Sequence, residues 1–237
     1  MFESVAAVHS QTHAHTRVRE IRSFAFAAGT HLAYLAMGEF TRACSVFPIV
    51  FIEDSERDEF RPVALLGLKP NENLCVDAKG VWNAPYNPAI IRRYPFALLP
   101  SDQEGQFVVC IDTGSDLVGT EEGAPLFDES GAPTPLLENA KRYLSELHQM
   151  EQLTSQFCAW CKANNMFTPL NMRIQDGAGS KDLTGCYVVN EERLNKLSDE
   201  LFLQLRTKGY LPAIYAHLLS LGQTERLVRL QRERAGA

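Results

Sequence analysis

The chain lacks a long apolar run, an excess of positive charge, an internal repeat and any low-complexity stretch. Each absence excludes something. The longest weakly polar stretch, Phe24 to Gly38, is broken by Thr30 and His31 and falls short of the roughly 18 to 20 apolar residues that a membrane-spanning helix requires. No membrane insertion is expected. The first twenty residues have neither the basic start nor the apolar centre nor the small-residue cleavage site of a secretory signal, so a cytoplasmic protein is expected. Lys and Arg number 23 against 29 Asp and Glu, a formal net charge of -6, so there is no general attraction for phosphates and no nucleic-acid partner is expected.

Six cysteines are present, at 44, 75, 110, 158, 161 and 186. Four of them sit in apolar strand-like or helix-like runs, and a disulfide framework belongs to small secreted chains, so they read as buried free thiols. A hydrophobic content of 45% over 237 residues supports a sizeable core, which argues against disorder of the whole.

Residues before about Val18 are polar, His-rich and without periodicity, and are expected to form a loose arm over 1–18. Arg22 to Ala28 suits an extended segment, and Glu39 to Val46 a helical turn or two that Pro48 stops. A β-rich stretch follows. Phe47–Ile52 and Phe60–Leu68 flank an acidic tip, Leu74–Asp77 and Val81–Trp82 flank a turn, and Phe96–Leu99 precedes Gln106–Asp112. Pro88 can open a short helix reaching Arg93.

Gly, Asp and Pro dominate from Thr113 to Thr134, marking an irregular connection and a possible subdivision near residue 130. Thr134 as N-cap and Pro135 at the first position then open a long amphipathic helix. Its expected apolar stripe runs through Leu136, Ala140, Tyr143, Leu144, Leu147, Met150, Leu153, Phe157 and Trp160. After Pro169 the period falls to two, and Leu170–Ile174 answers Leu183–Val189 across the loop at 176–182 as a hairpin. Asn190 and Ser198 cap two short helices, and Leu211–Leu221 forms a third, mostly buried. A basic helical tail over 223–237 is expected to fray.

These elements define an α+β class with a β-rich N-terminal half with hairpins, one long amphipathic helix, a second hairpin and C-terminal helices. A single domain over 19–222 is the expected division. Strands and helices do not alternate as a doubly wound sheet would require.

Several fragments resemble catalytic motifs without completing them. Asp112-Thr113-Gly114-Ser115 follows an apolar strand as in aspartic proteases, but there is no second D-T-G to share the proton, so it reads as a strand-ending turn. Cys158 and Cys161 form a C-x-x-C far along a helix, with no second ligand pair, and read as core. His9, His13 and His15 could bind a transition metal, yet a loose arm fixes coordination poorly. No metal and no cofactor is expected. His31 with Glu39 is a possible polar site, although a hydrogen-bonded structural role is the commoner fate of such residues. His217 reads as a satisfied core histidine.

The segment with the residue mix of binding hot spots is Trp82, Tyr86, Arg92, Arg93, Tyr94 and Phe96, where rings supply area and arginines supply bidentate contacts. Its Pro85, Pro88 and Pro95 give an irregular path of the kind found at surfaces. Core burial of the same rings is the competing reading.

Taken in order, RSFAFAAGTH at Arg22 to His31, EF at Glu39 and Phe40, Arg92 to Phe96, PLFDESGAPTP at Pro125 to Pro135 and the run from Gly185 to Gly222 resemble the bacterial SapC family, named for an S-layer-associated protein. The resemblance implies a bacterial accessory protein linked to surface layers, with relatives often encoded beside flavin-dependent halogenases and outer-membrane TonB-dependent receptors. It implies no settled activity. A non-enzymatic binding or accessory role with a protein or peptide partner at the Trp82–Phe96 surface is the expectation, and a small metal- or cofactor-dependent enzyme using His31 and Glu39 is the alternative.

Overall fold

The computed structural model describes residues 1–101, 103, 105–175 and 180–236, excluding the side chains of 172–175, 180–183 and 235. From the N-terminus the chain forms β1 (Val5–Ala7), β2 (Arg17–Val18), β3 (Leu32–Tyr34), a helical turn α1 (Phe40–Ala43), and the hairpin β4 (Ile49–Asp54) to β5 (Glu59–Leu65). A second helical turn, α2 (Ala89–Arg92), precedes β6 (Phe96–Pro100) and β7 (Phe107–Asp112), and the two-residue strands β8 (Val118–Gly119) and β9 (Ala124–Pro125) lead to α3 (Pro135–Ala163). The remainder comprises β10 (Phe167–Pro169), β11 (Met172–Gln175), β12 (Ser180–Leu183), β13 (Cys186–Val189), and the helices α4 (Glu191–Asn195), α5 (Asp199–Thr207), α6 (Leu211–Ser220) and α7 (Thr224–Ala235).

The α+β class is as the sequence predicts. The largest sheet runs β10-β13-β4-β5-β3, all neighbours antiparallel. A three-stranded sheet runs β1-β7-β6, and β2 lies between β8 and β9. Both N-terminal hairpins appear where apolar runs flank turn residues, and Val76 bridges Trp82 across the turn at 78–80.

The N-terminal segment differs from the expected loose arm. Val5–Ala7 pair with Asp112–Cys110, and Arg17–Val18 pair on both sides. Such short strands carry too few residues to show a period of two, which is why pattern did not reveal them. Likewise Arg22–Ala28 is not simply extended: Ala25–Ala27 form a 3-10 turn, and the Asn73 side-chain amide donates to the Ala27 carbonyl at 3.0 Å. The C-terminal hairpin also shifts. Met172–Gln175 pair with Ser180–Leu183, whereas Cys186–Val189 join β4 and β10. Residues 176–179 of its predicted loop lie outside the described residues.

Three apolar clusters fill the space between layers. The largest gathers Phe40, Phe47, Phe51, Phe157 and Ile214 between the five-stranded sheet, α3 and α6. A second gathers Phe96, Ile111, Leu126, Leu137 and Leu144, and a third gathers Val50, Val63, Leu65 and Leu227 under α7. Thus the first half of α3 serves one cluster and its second half another. Buried Leu227 holds the expected fraying tail, and Arg226 and Arg234 donate to the carbonyls of Val46, Asn73 and Val76.

The α3 stripe is buried as expected at Leu144, Leu147 and Phe157 and departs from the expectation at two places. Leu137 is buried in place of Leu136, and Leu153 is 54% exposed while Thr154 points inward. Thr154 fits there because its hydroxyl donates to the Met150 carbonyl at 2.6 Å and accepts from Met37 N at 2.8 Å, leaving no polar atom unpaired. At the caps, Asn190 and Ser198 accept from Arg193 N and Leu201 N as expected. Thr134 precedes Pro135 as expected, but its hydroxyl donates to the Pro125 and Leu126 carbonyls.

Candidate functional site

The aromatic and arginine segment divides between core and surface. Tyr94 is 6% and Phe96 7% exposed, so these two rings are core. Tyr94 stacks on Phe26 at 4.1 Å and donates to Asp112 at 3.2 Å. Trp82 and Tyr86 are half-buried: the indole donates to the Tyr86 carbonyl at 2.9 Å, and the Tyr86 hydroxyl donates to Glu39 at 2.6 Å. Arg92 is exposed and Arg93 half-buried. The face available for recognition is therefore made by the arginines, with most of the ring area turned inward.

Those arginines open onto a cleft of 430 Å³ between the Val18–Ile21 stretch, the Arg92–Phe96 stretch and the first three turns of α3. Its apolar side includes Ile21, Pro95, Leu136, Ala140 and Tyr143. Its charged side includes Arg19, Arg92, Arg93 and Arg142, opposed by Glu20 and Glu146. Among the lining residues only the Arg92–Phe96 part was legible as a site in the sequence. Arg142 and Tyr143 lie on the predicted helix, Tyr143 within its stripe, and a second basic group next to an aromatic there was the available signal. Arg19 gave no signal, because β2 has only two residues.

The arginines are held from below. The Ala89 N–H donates to Glu39 at 2.8 Å, and the Ala89 carbonyl accepts from the Tyr143 hydroxyl at 3.0 Å. The short helix carrying Arg92 is thereby tied to the Glu39 turn and to α3. Arg92 Nε donates to the Asn87 carbonyl at 3.0 Å, and its guanidinium lies 5.7 Å from the centre of the Tyr143 ring. Arg93 lies 5.4 Å from the Phe2 ring centre, with Nε buried and lacking a hydrogen-bond partner among the described residues. Burial lowers its pKa from the ordinary value, yet a guanidinium keeps its charge in proteins. Leaving such a donor unsatisfied costs about 1–3 kcal/mol.

His31 and Glu39 are not joined by a hydrogen bond or ion pair among the described residues. His31 precedes edge strand β3, its carbonyl accepting from Leu66 N and Gly67 N. Glu39, 5% exposed, accepts from Ala36 N, Ala89 N and the Tyr86 hydroxyl, so its oxygens are already engaged in holding the fold.

The remaining motifs are structural. Asp112 accepts from Glu3 N at 3.0 Å and Ser4 N at 2.7 Å; burial pushes its carboxyl up, but these bonds with those from Gly114 N and Tyr94 outweigh that and hold its pKa below the ordinary value. It anchors the N-terminus. His13 is buried, and its Nδ1 accepts from His9 N at 3.3 Å. No group of three or more His, Cys, Asp or Glu side chains suited to a metal occurs among the described residues. No helix among the described residues is long and apolar enough to cross a membrane.

Cys158 and Cys161 are buried and free, and burial pushes the Cys158 thiol up to about 12 and the Cys161 thiol higher still. A thiolate is the reactive form, so neither is poised for redox chemistry. In the folded protein at pH 8, a water-soluble thiol reagent is expected to modify Cys44 alone, the other five reacting only after denaturation. Two or more fast-reacting thiols would contradict this burial.

The SapC family model matches residues 8–227, and the chain belongs to the SapC family. No curated protein and no solved structure matches it.

Proposed function

We propose that this SapC family protein is a non-enzymatic binding or accessory protein that holds a protein or peptide partner at the arginine-lined cleft, acting in the cytoplasm without a cofactor. The observation that carries the reading is the cleft itself, an apolar wall beside four arginines, one with a buried donor that has no partner among the described residues. Arginine beside aromatic and aliphatic area is the composition of interface hot spots. Components of surface-layer, TonB-dependent receptor or flavin-dependent halogenase systems are the first candidates, on family context alone.

The test is affinity isolation from the native host with wild-type protein and with the double variant Arg92→Glu, Arg142→Glu, both residues being exposed. Wild type is expected to retain a discrete polypeptide in stoichiometric amount, and the variant to lose it by at least about tenfold, the change corresponding to about 1.4 kcal/mol. Equal retention by both proteins would refute this site.

A further inference from the structure

The cleft continues into a second depression of 680 Å³, and the two share Val18, Arg19, Glu20 and Leu136. The second adds Arg22 and Glu122, so the joined surface carries five arginines and three glutamates on a protein whose net charge is -6. Arginine is concentrated here against the overall sign of the molecule. Two adjoining depressions suit an extended chain better than one compact ligand.

The chemistry narrows the occupant further. Five arginines against three glutamates favour a ligand of net negative charge over a neutral or cationic one. A phosphate-rich ligand would meet Glu20 and Glu146 on the same walls, and the apolar area of Ile21, Leu136 and Ala140 would remain uncovered. Single carboxylates interspersed with apolar side chains satisfy both features, because a guanidinium and a carboxylate match in planar, bidentate fashion. We propose that the cleft receives an extended acidic segment of a partner protein, with one carboxylate seated on Arg93 and apolar neighbours on the Leu136–Ala140 wall. The proposal rests on the reading of the cleft as the partner site and names what that site recognises.

The experiment places the photo-crosslinking residue p-benzoylphenylalanine at exposed Asn139, inside the cleft, in the full chain expressed in its host. The crosslinked partner segment is sequenced and then made as a synthetic peptide, alongside a version with Asp and Glu replaced by Asn and Gln. The crosslinked segment is expected to hold Asp or Glu within a few residues of the attachment point, and the neutral peptide to bind about 30-fold or more weakly. Arg93→Met is expected to remove the difference between the two peptides, while Arg93→Lys keeps part of it. Should Arg93→Met fail to fold, Arg142→Gln, at an exposed position, is expected to narrow the same difference. A crosslinked segment without carboxylates, or a neutral peptide that binds equally well, would overturn the acidic specificity and leave the partner site standing. Failure to crosslink any polypeptide would overturn both.

Discussion

Replacing Glu39 by alanine is expected to destabilise the protein by about 3–5 kcal/mol, as measured by urea unfolding. The carboxylate closes its own helical turn by accepting from Ala36 N at 3.0 Å, and reaches across to Ala89 N at 2.8 Å and the Tyr86 hydroxyl at 2.6 Å. Alanine would leave two backbone donors and a phenol facing a site that is 5% exposed. Donors stranded away from water lose the full desolvation penalty, which exceeds the net worth of the bonds when made. Glu39→Gln keeps one good acceptor but turns an N–H toward another donor, so a smaller loss of about 1–3 kcal/mol is expected. A change below about 1 kcal/mol in the alanine variant would contradict the anchoring role. Because Ala89 also accepts from Tyr143, the same substitution is expected to loosen the mount of Arg92 and Arg93.

The second large effect is a pH dependence set by His217. This ring is fully buried, its Nε2 accepting from Val189 N at 3.0 Å, which leaves the proton on Nδ1 to donate to the Ile49 carbonyl at 2.8 Å. Burial lowers its pKa from 6.5 to about 4, only partly offset by the bond to Ile49. The unfolded chain therefore takes up a proton near pH 6.5 that the folded protein refuses until about pH 4. Stability from this group is fully present above pH 6.5, falls as pH drops toward 4, and levels off below that. The whole drop corresponds to about 3 kcal/mol. Carboxylates contribute little between pH 6.5 and 5, so the slope of unfolding free energy in that window is the readout, and His217→Gln, which retains a donor and an acceptor, is expected to flatten it. An unchanged slope in the glutamine variant would assign the dependence elsewhere.

The helices, their caps and the two N-terminal hairpins were legible because each has a local chemical cause: Asn190 and Ser198 oxygens for orphan N–H groups, Pro135 where no N–H is needed, turn residues between β-branched runs. The satisfied state of His217 followed from its place in an apolar helix. The candidate site was legible only in part. Its lining comes from residues near 20, 94 and 140, brought together by two-residue strand pairs and by hydrogen bonds to Ala89 that leave no periodic trace. The inward turn of Tyr94 and Phe96 was not decidable from spacing either, because Tyr94 is received by Phe26, some seventy residues away, and Phe96 by a cluster that includes Val18, Leu126 and Leu137.

The division of α3 between two apolar clusters has a consequence for how the molecule comes apart. The helix is a single hydrogen-bonded rod from Pro135 to Ala163, packed at one end through Leu137 and Leu144 and at the other through Phe157 and Cys161. Melting either cluster strips half the rod of its packing, and a bare half-helix is only marginally stable in water. The two ends therefore give way together. Heating is expected to show one cooperative transition, and cleavage near residue 130 to leave an N-terminal piece whose apolar surface has lost its cover.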